Sequence, residues 1–332
     1  VTSQEQIAQL FSRRPVILAP MEDVTDAVFR RLCRELGADI CVTEFVNAEG
    51  LLRGARIAQS KITLADGDQP TAIQIYGADA QRLAEAAKVA EAARPAYLDI
   101  NCGCWVPKVA GRGAGAGWLR DPQAMVQMAE MVVRSVALPV TVKTRIGWGP
   151  ESEMPIVELA KRLEGVGVSA IAIHCRVAQV GHSGAADWSW AKKARDVVSI
   201  PVIVNGDIDS ADAAQRALDD TGCAGVMVGR TAIDHPWIFR EARALLDRGV
   251  RLCGPTPAER FALCKKHLIA NCEKRGEKYG VQVTRRHLSG YLRGLPGAGE
   301  MRRTLNATPS LAGNLDYLDA CEMRLEKAVS AA

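Results

Sequence analysis

Aromatic residues are scarce in this chain of 332 residues: six Trp, five Tyr and five Phe make up 5% of it. A core built under that restriction has to be aliphatic and alanine-rich. No apolar run approaches the roughly 20 residues that span a bilayer, so no membrane partner is expected. No signal-peptide pattern opens the chain, and a cytoplasmic location follows as an expectation. Neither sign of charge dominates: 42 Lys and Arg face 38 Asp and Glu, and a formal charge of +4 is too small to point to nucleic acid by itself. No Gly-rich dinucleotide turn follows the first strand-like run, and nothing marks an adenosine site. The ten Cys read as reduced thiols rather than as a disulfide framework in a chain of this length. Cys102 and Cys104 form a C-x-C pair, but no second Cys/His pair lies at zinc spacing, so no metal is expected.

What is present is ordinary globular material, with 48% hydrophobic and 24% charged residues. Continuous apolar runs rich in Val and Ile occupy residues 15–20, 41–45, 71–76, 97–101, 139–145, 170–174, 201–205 and 224–228. Helical spacing fills much of the space between them, at 26–36, 80–92, 122–136, 153–165, 188–198 and 211–221. Strands that are apolar on both sides belong to a parallel sheet covered on both faces. The count and length predict a (β/α)8 TIM barrel over residues 1–252. A doubly wound open sheet is the rival, disfavoured by the missing dinucleotide turn. Past Gly254-Pro255-Thr256-Pro257 the β/α rhythm stops. Helical runs at 259–274, 284–293 and 315–328 predict a smaller C-terminal all-helical domain over residues 253–332. Its basic residues include Lys265, Lys266, Lys274, Arg275, Lys278, Arg285, Arg286, Arg293, Arg302 and Arg303. They read as a phosphate-contacting surface or as a solvated helix face.

Barrel chemistry sits at the C-terminal ends of the strands. Reading those ends in order gives Pro20, Met21 and Glu22, then Gln74, then Asn101 with Cys104 beyond it. Lys143 and Arg145 follow, then His174 and Arg176, then Asn205-Gly206-Asp207, and finally Gly229-Arg230. The last two turns form a phosphate signal, because glycine lets backbone N–H groups approach an anion and Arg230 adds a charged donor. Gln74 and Lys143 at the same mouth suit the polar edge of a flavin, which favours FMN over FAD or NAD. A mostly protonated thiol then serves as an acid. Cys104 and Cys102 both qualify, on what reads as an exposed turn. The Gly/Ala run at 111–117 reads as a mobile loop that could close as a lid.

Taken together, these motifs resemble the tRNA-dihydrouridine synthases, the bacterial B-like branch in particular. The match runs through Ala19-Pro20-Met21, Asp99-Ile100-Asn101-Cys102-Gly103-Cys104, Val142-Lys143-Thr144-Arg145, His174-x-Arg176, Ser183-Gly184, Asn205-Gly206-Asp207, Val228-Gly229-Arg230 and Gly294-Leu295-Pro296-Gly297. The resemblance implies an FMN enzyme that reduces the C5–C6 bond of tRNA uridines, in the D-loop by analogy with the B-like branch. NADPH would be the reductant, with NADH an alternative, and tRNA the partner of a monomer. Hydride would reach C6 from reduced FMN and a proton would reach C5 from Cys104. By motif position the flavin contacts are Pro20, Met21, Glu22, Gln74, Lys143, His174, Asn205, Gly206, Asp207, Gly229 and Arg230. Asn101 and Arg145 fall on uracil-contacting positions, and Arg176 and His182 join them as substrate residues. Three positions depart from the family: Trp105 replaces a Pro after the cysteine, Cys175-Arg176-Val177 replaces Gly-Arg-Thr, and His182 replaces a Tyr. A reductase of a free small molecule, a ribosomal RNA enzyme, and an RNA-binding protein with an inactive flavin site remain as alternatives.

Overall fold

Alternation within each strand builds the molecule. In strand β1 (Val16–Leu18), Val16 and Leu18 join the core beneath the surrounding helices, while Ile17 joins a separate inner cluster with Ala19. The same two-residue period recurs in β2 (Ile40–Val42), β4 (Thr71–Tyr76), β5 (Leu98–Cys102), β6 (Val140–Arg145), β7 (Ala170–His174), β8 (Val202–Asn205) and β9 (Gly225–Val228). All pairings are parallel, and the order β2-β1-β9-β8-β7-β6-β5-β4 closes on itself through Cys41↔Thr71. This is the expected closed eight-stranded barrel with helices. Sequence reading missed one further piece, β3 (Val46–Asn47), which pairs with β4 at the end of the strand order. The computed structural model describes residues 2–65, 67–149 and 154–330. The expected helix start at Glu153 lies outside them, and the helix itself runs Ile156–Gly165.

The inner cluster changes character along the barrel axis. At its lower end Ile17, Ile40, Val42, Ala72, Tyr97, Ala170, Ala172, Ile203 and Met227 pack together. The Ser3–Phe11 helix adds Ile7 and Phe11 to this cluster. That helix was not expected, although Thr2 and Glu5 form its reciprocal capping box. Towards the strand ends the inward residues turn polar: Gln74, Asp99, Asn101, Thr141, Lys143, His174 and Asn205. Register places Asn101 beside Lys143, Arg145 beside His174, and His174 beside Asn205. Parallel pairing in register therefore converts scattered sequence positions into one polar ring.

Four helices follow the barrel: Pro257–Arg275, Glu277–Tyr291, Ala298–Ala307 and Leu311–Ser330. Their apolar cluster includes Phe261, Leu268, Val281, Leu288 and Leu318, and it also takes in Val28, Leu32 and Trp237. Ion pairs reinforce the contact: Arg275 with Asp26, Lys266 with Glu35, and Arg293 with Asp234. Arg286 Nη1 donates to the Asp23 carbonyl. Much of the basic set expected to face phosphate is thus spent holding these helices in place, and Lys265 is engaged by Asp319 and Glu322. Among the described residues no helix is long and apolar enough to cross a membrane.

Candidate active site

A cavity of about 510 Å3 opens over the polar ring. Of the sequence-derived candidates, Pro20, Met21, Glu22, Asn101, Cys104, Lys143, Arg145, His174, Arg176, His182, Asn205, Gly206, Asp207, Gly229 and Arg230 line it. Gln74 does not. It is fully buried one layer down, where Nε2 donates to Asp99 Oδ2 at 2.6 Å and Oε1 accepts from Asn101 Nδ2 at 2.9 Å. Its amide is a support for Asn101 instead of a wall of the cavity.

Asn101 in turn shapes the loop that carries the thiol. Its Oδ1 accepts from the backbone N–H groups of Gly103, at 3.1 Å, and Cys104, at 2.9 Å. That turn takes the chain off the strand and separates the two cysteines. Cys102, still on β5, is fully buried in the core beneath the helices, while Cys104 is half-buried at the cavity. Of the two, it is Cys104 that lines the cavity. Burial raises its thiol above the ordinary range, against the lowering effects of the Val106 N–H, Arg145 and Lys143. It is a thiol, not a thiolate, at neutral pH.

Residues 114–117 of the Gly/Ala run are buried and packed against the cysteine loop. Gly115, Ala116 and Gly117 are buried in a short 3-10 turn, and the Ala116 N–H donates to the Cys104 carbonyl at 3.0 Å. A β-carbon on Gly115 would lie 2.7 Å from that carbonyl oxygen. Smallness here serves close approach.

Cations dominate the inner wall. Lys143 Nζ donates to Asn205 Oδ1 at 3.0 Å, its one hydrogen bond among the described residues. Asn205 Nδ2 donates to the Met227 carbonyl at 2.8 Å, which fixes the amide's orientation. Burial, then the nearby Arg145 charge, push the Lys143 ammonium down to about 8. Arg145 is buried and donates to the Gly103, Val177 and Gly181 carbonyls at 2.9, 2.9 and 2.7 Å. It straps the cysteine loop to the loop after β7. Burial, then the Lys143, Arg145 and Arg176 charges, drive the His174 imidazolium far below its usual range, so the ring is neutral. Arg176 Nη1 lies 3.2 Å from His174 Nε2. A guanidinium only donates, so Nε2 accepts and the His174 proton sits on Nδ1.

Arg176 and Asp207, assigned separately to substrate and cofactor, are partners of each other. Arg176 Nη2 lies 2.6 Å from both Asp207 oxygens and donates to the Gly184 carbonyl at 2.6 Å. The carboxylate also accepts from the Ala186 N–H at 2.8 Å. Burial would raise Asp207, but these donors outweigh it and hold the carboxyl low. Asp207 has φ 55° and Gly206 φ 111°, so the turn occupies the left-handed region twice. A β-carbon on Gly206 would meet Ala186 at 2.9 Å, whereas one on Gly229 would meet nothing nearer than Ala19 at 3.9 Å. Gly206 is a packing glycine; Gly229 leaves open space next to Arg230.

Among the residues not foreseen are Phe45 in the cavity and Lys61, which pairs with the lining Glu22. Phe45, just past β2, lines the cavity and packs edge-on against Tyr76. Its signal was its place at the end of the second strand run, the one mouth left unread. Lys61 Nζ sits 2.7 Å from Glu22 and 3.5 Å from Glu44, filling with an ammonium the space between carboxylates that cluster with Asp23.

The sequence pattern of the family Dihydrouridine synthase (Dus) matches residues 17–329. tRNA-dihydrouridine synthase B of Pseudomonas syringae pv. tomato is 38% identical over 291 residues, covering 88% of this chain and 86% of its own. A probable tRNA-dihydrouridine synthase of Rickettsia prowazekii is 36% identical over 292 residues, covering 88% and 89%. Among solved structures, morphinone reductase superposes with a TM-score of 0.51 at 15% identity, over 74% of this chain and 88% of that one, a likeness of fold alone. With the match running through nearly the whole barrel and the helices behind it, this chain belongs to the dihydrouridine synthase family.

Proposed function

We propose that this protein reduces the C5–C6 double bond of uridines in tRNA, with FMN in the cavity, Cys104 as the proton donor and NADPH as external reductant. One observation carries the reading: a half-buried thiol and a half-buried ammonium with spare donors share one cavity. An ammonium has three N–H donors, and Lys143 uses one of them on Asn205. The remaining capacity suits the electron-rich pyrimidine edge of an isoalloxazine. Bound FMN supplies hydride chemistry.

The chain's own residues do the rest. Pro20, Met21, His174 and Asn205 would wall the ring, and Gly229 with Arg230 would take the phosphate. Gly206 and Asp207 hold the turn beneath it through Arg176. Neutral His174 is suited to hydrogen bonding without adding a charge beside Lys143. Cys104, kept protonated by burial, gives its proton to C5. Asn101 and Arg145 fix the loop on which that thiol stands, and both also line the cavity. A uracil has to leave its stack to reach this depth, at a cost of a few kcal/mol. Phosphate contacts outside the cavity offset that cost. We assign them to a helical tRNA-binding unit at residues 253–332, behind a catalytic barrel at residues 1–252.

The test is direct. Purified protein should carry a flavin absorbance spectrum, and reduced protein should be reoxidised by unmodified tRNA with formation of dihydrouridine detected by mass spectrometry. Protein that takes up no flavin, or that transfers no reducing equivalents to tRNA, would overturn the reading.

A further inference from the structure

Trp105 is the residue after Cys104, and its indole stands at the outer edge of the same cavity. It is 36% exposed. One of the chain's six tryptophans therefore offers part of its ring surface to a partner in the cavity that Cys104 lines. The indole is also held in position. His182 meets it edge-on, with ring centroids 6.0 Å apart and planes at 88°. Gly181 lies against its six-membered ring: a β-carbon there would sit 3.0–3.1 Å from three ring atoms. Gly181 has φ +60°, so glycine is favoured on backbone grounds as well. Arg145 ties the two sides together, donating to the Gly103 carbonyl on the Trp105 side and to the Gly181 carbonyl on the His182 side. The result is a rigid aromatic wall set into two cross-linked loops.

We propose that Trp105 is the stacking wall for the base that enters beside Cys104, with Gly181 and His182 as the positioning residues that hold its indole. The assignment rests on the function proposed above. It concerns the base and not the nicotinamide for a geometric reason. Trp105 and Cys104 are consecutive residues that line the same cavity, so a ring laid on the indole is held in the space that Cys104 shares, and reduction of the flavin does not require that thiol. Every base has a π-face, and an indole is a sequence-tolerant platform for one.

The two half-reactions separate the outcomes. Flavin-loaded Trp105→Phe, Trp105→Leu and Trp105→Ala proteins are reduced with NADPH, then reoxidised with a tRNA transcript that carries no modifications. Binding of the same transcript to oxidised protein is measured by fluorescence anisotropy. Stacking predicts that Trp105→Ala raises the half-saturating tRNA concentration and weakens binding by roughly 5- to 150-fold, the range for removal of one base–aromatic stack. Reduction by NADPH stays unchanged. Trp105→Phe retains most of the affinity, whereas Trp105→Leu, similar in bulk but without a ring, does not. His182→Ala shifts tRNA binding in the same direction by less. The assignment is overturned if Phe and Leu behave alike, if Trp105→Ala matches the parent protein, or if NADPH reduction is the step that slows. A parent protein that is never reoxidised by tRNA would instead remove the function on which the assignment rests.

Discussion

Cys104 owes its protonation to burial and its position to Asn101. These can be tested apart. Cys104→Ala removes the donor while leaving Lys143, Asn205 and the glycine turns in place, so flavin content should stay at the parent level. Dihydrouridine formation should fall by about 10²–10⁴, the usual worth of a positioned acid. Absorbance and mass-spectrometric assay read the two effects on one preparation, and loss of flavin along with activity would argue against a donor role. Asn101→Ala should slow the reaction too, but through the loop, since the Gly103 and Cys104 N–H groups lose their acceptor.

Lys143 carries a pH signature. Its ammonium is pushed down to about 8 by burial and by Arg145, below the roughly 10.4 of an unfolded lysine. Between those values the unfolded chain holds more protons than the folded one, so this group's contribution to stability rises with pH across that window. Below pH 8 the cost of burying the charge is present in full. In flavin-stripped protein, Lys143→Met should therefore raise the melting temperature most below about pH 8 and least near about pH 10. Comparing variant with parent cancels the opposite trend from the many buried thiols. A Tm difference independent of pH would show that the buried group is not the titrating one.

At the level of elements, small residues mark where segments touch. Gly290 lies in the Glu277–Tyr291 helix, and a β-carbon there would fall 2.2 Å from the Asp234 α-carbon, which is backbone and cannot step aside. Gly290→Ala should cost about 1–3 kcal/mol, as overpacking does, by prising this helix from the Arg230–Asp234 turn. Gly165, at the exposed end of the Ile156–Gly165 helix, has nothing within 4 Å of the same position. Gly165→Ala should be neutral or stabilise by about 0.4–1 kcal/mol. Chemical denaturation of the pair checks both signs. The same reasoning explains what could be read from sequence and what could not. Strands such as Ala170–His174 announce themselves because both faces are covered, and Asn205-Gly206-Asp207 because each residue type serves a turn. The 111–117 run misleads because Gly and Ala read as freedom in a sequence, whereas here Gly111, Gly115 and Gly117 each sit where a side chain would strike a carbonyl oxygen. Gln74 misleads for a related reason. An amide at a strand end looks available until register sets it between Asp99 and Asn101. Pairings between the loops of neighbouring strands, such as Arg176 with Asp207, have no local signal at all.

At the scale of the whole molecule, the question is which charges remain for a polyanion. Lys265, Lys266, Arg275 and Arg293 are paired with carboxylates, and Arg286 with a carbonyl. Removing residues 253–332 would also bare Val28, Leu32 and Trp237, which pack with the helical core, so truncation confounds folding with binding. Charge substitution does not. Among the described residues no ion pair involves Lys278, Arg302 or Arg303, so these three cations of the helical segment are open to meet phosphate, as is Lys274. Neutralising all three to Gln should weaken tRNA binding and flatten its dependence on salt, by about 0.7–0.9 in the log–log slope for each phosphate no longer neutralised. Arg293→Gln removes a cation already paired with Asp234 and serves as the control, with the slope unchanged. Titrations at several ionic strengths measure both. If the triple variant keeps the parent slope, the phosphates are met elsewhere, and the exposed Lys108 and Arg112 beside the cysteine loop become the next positions to neutralise.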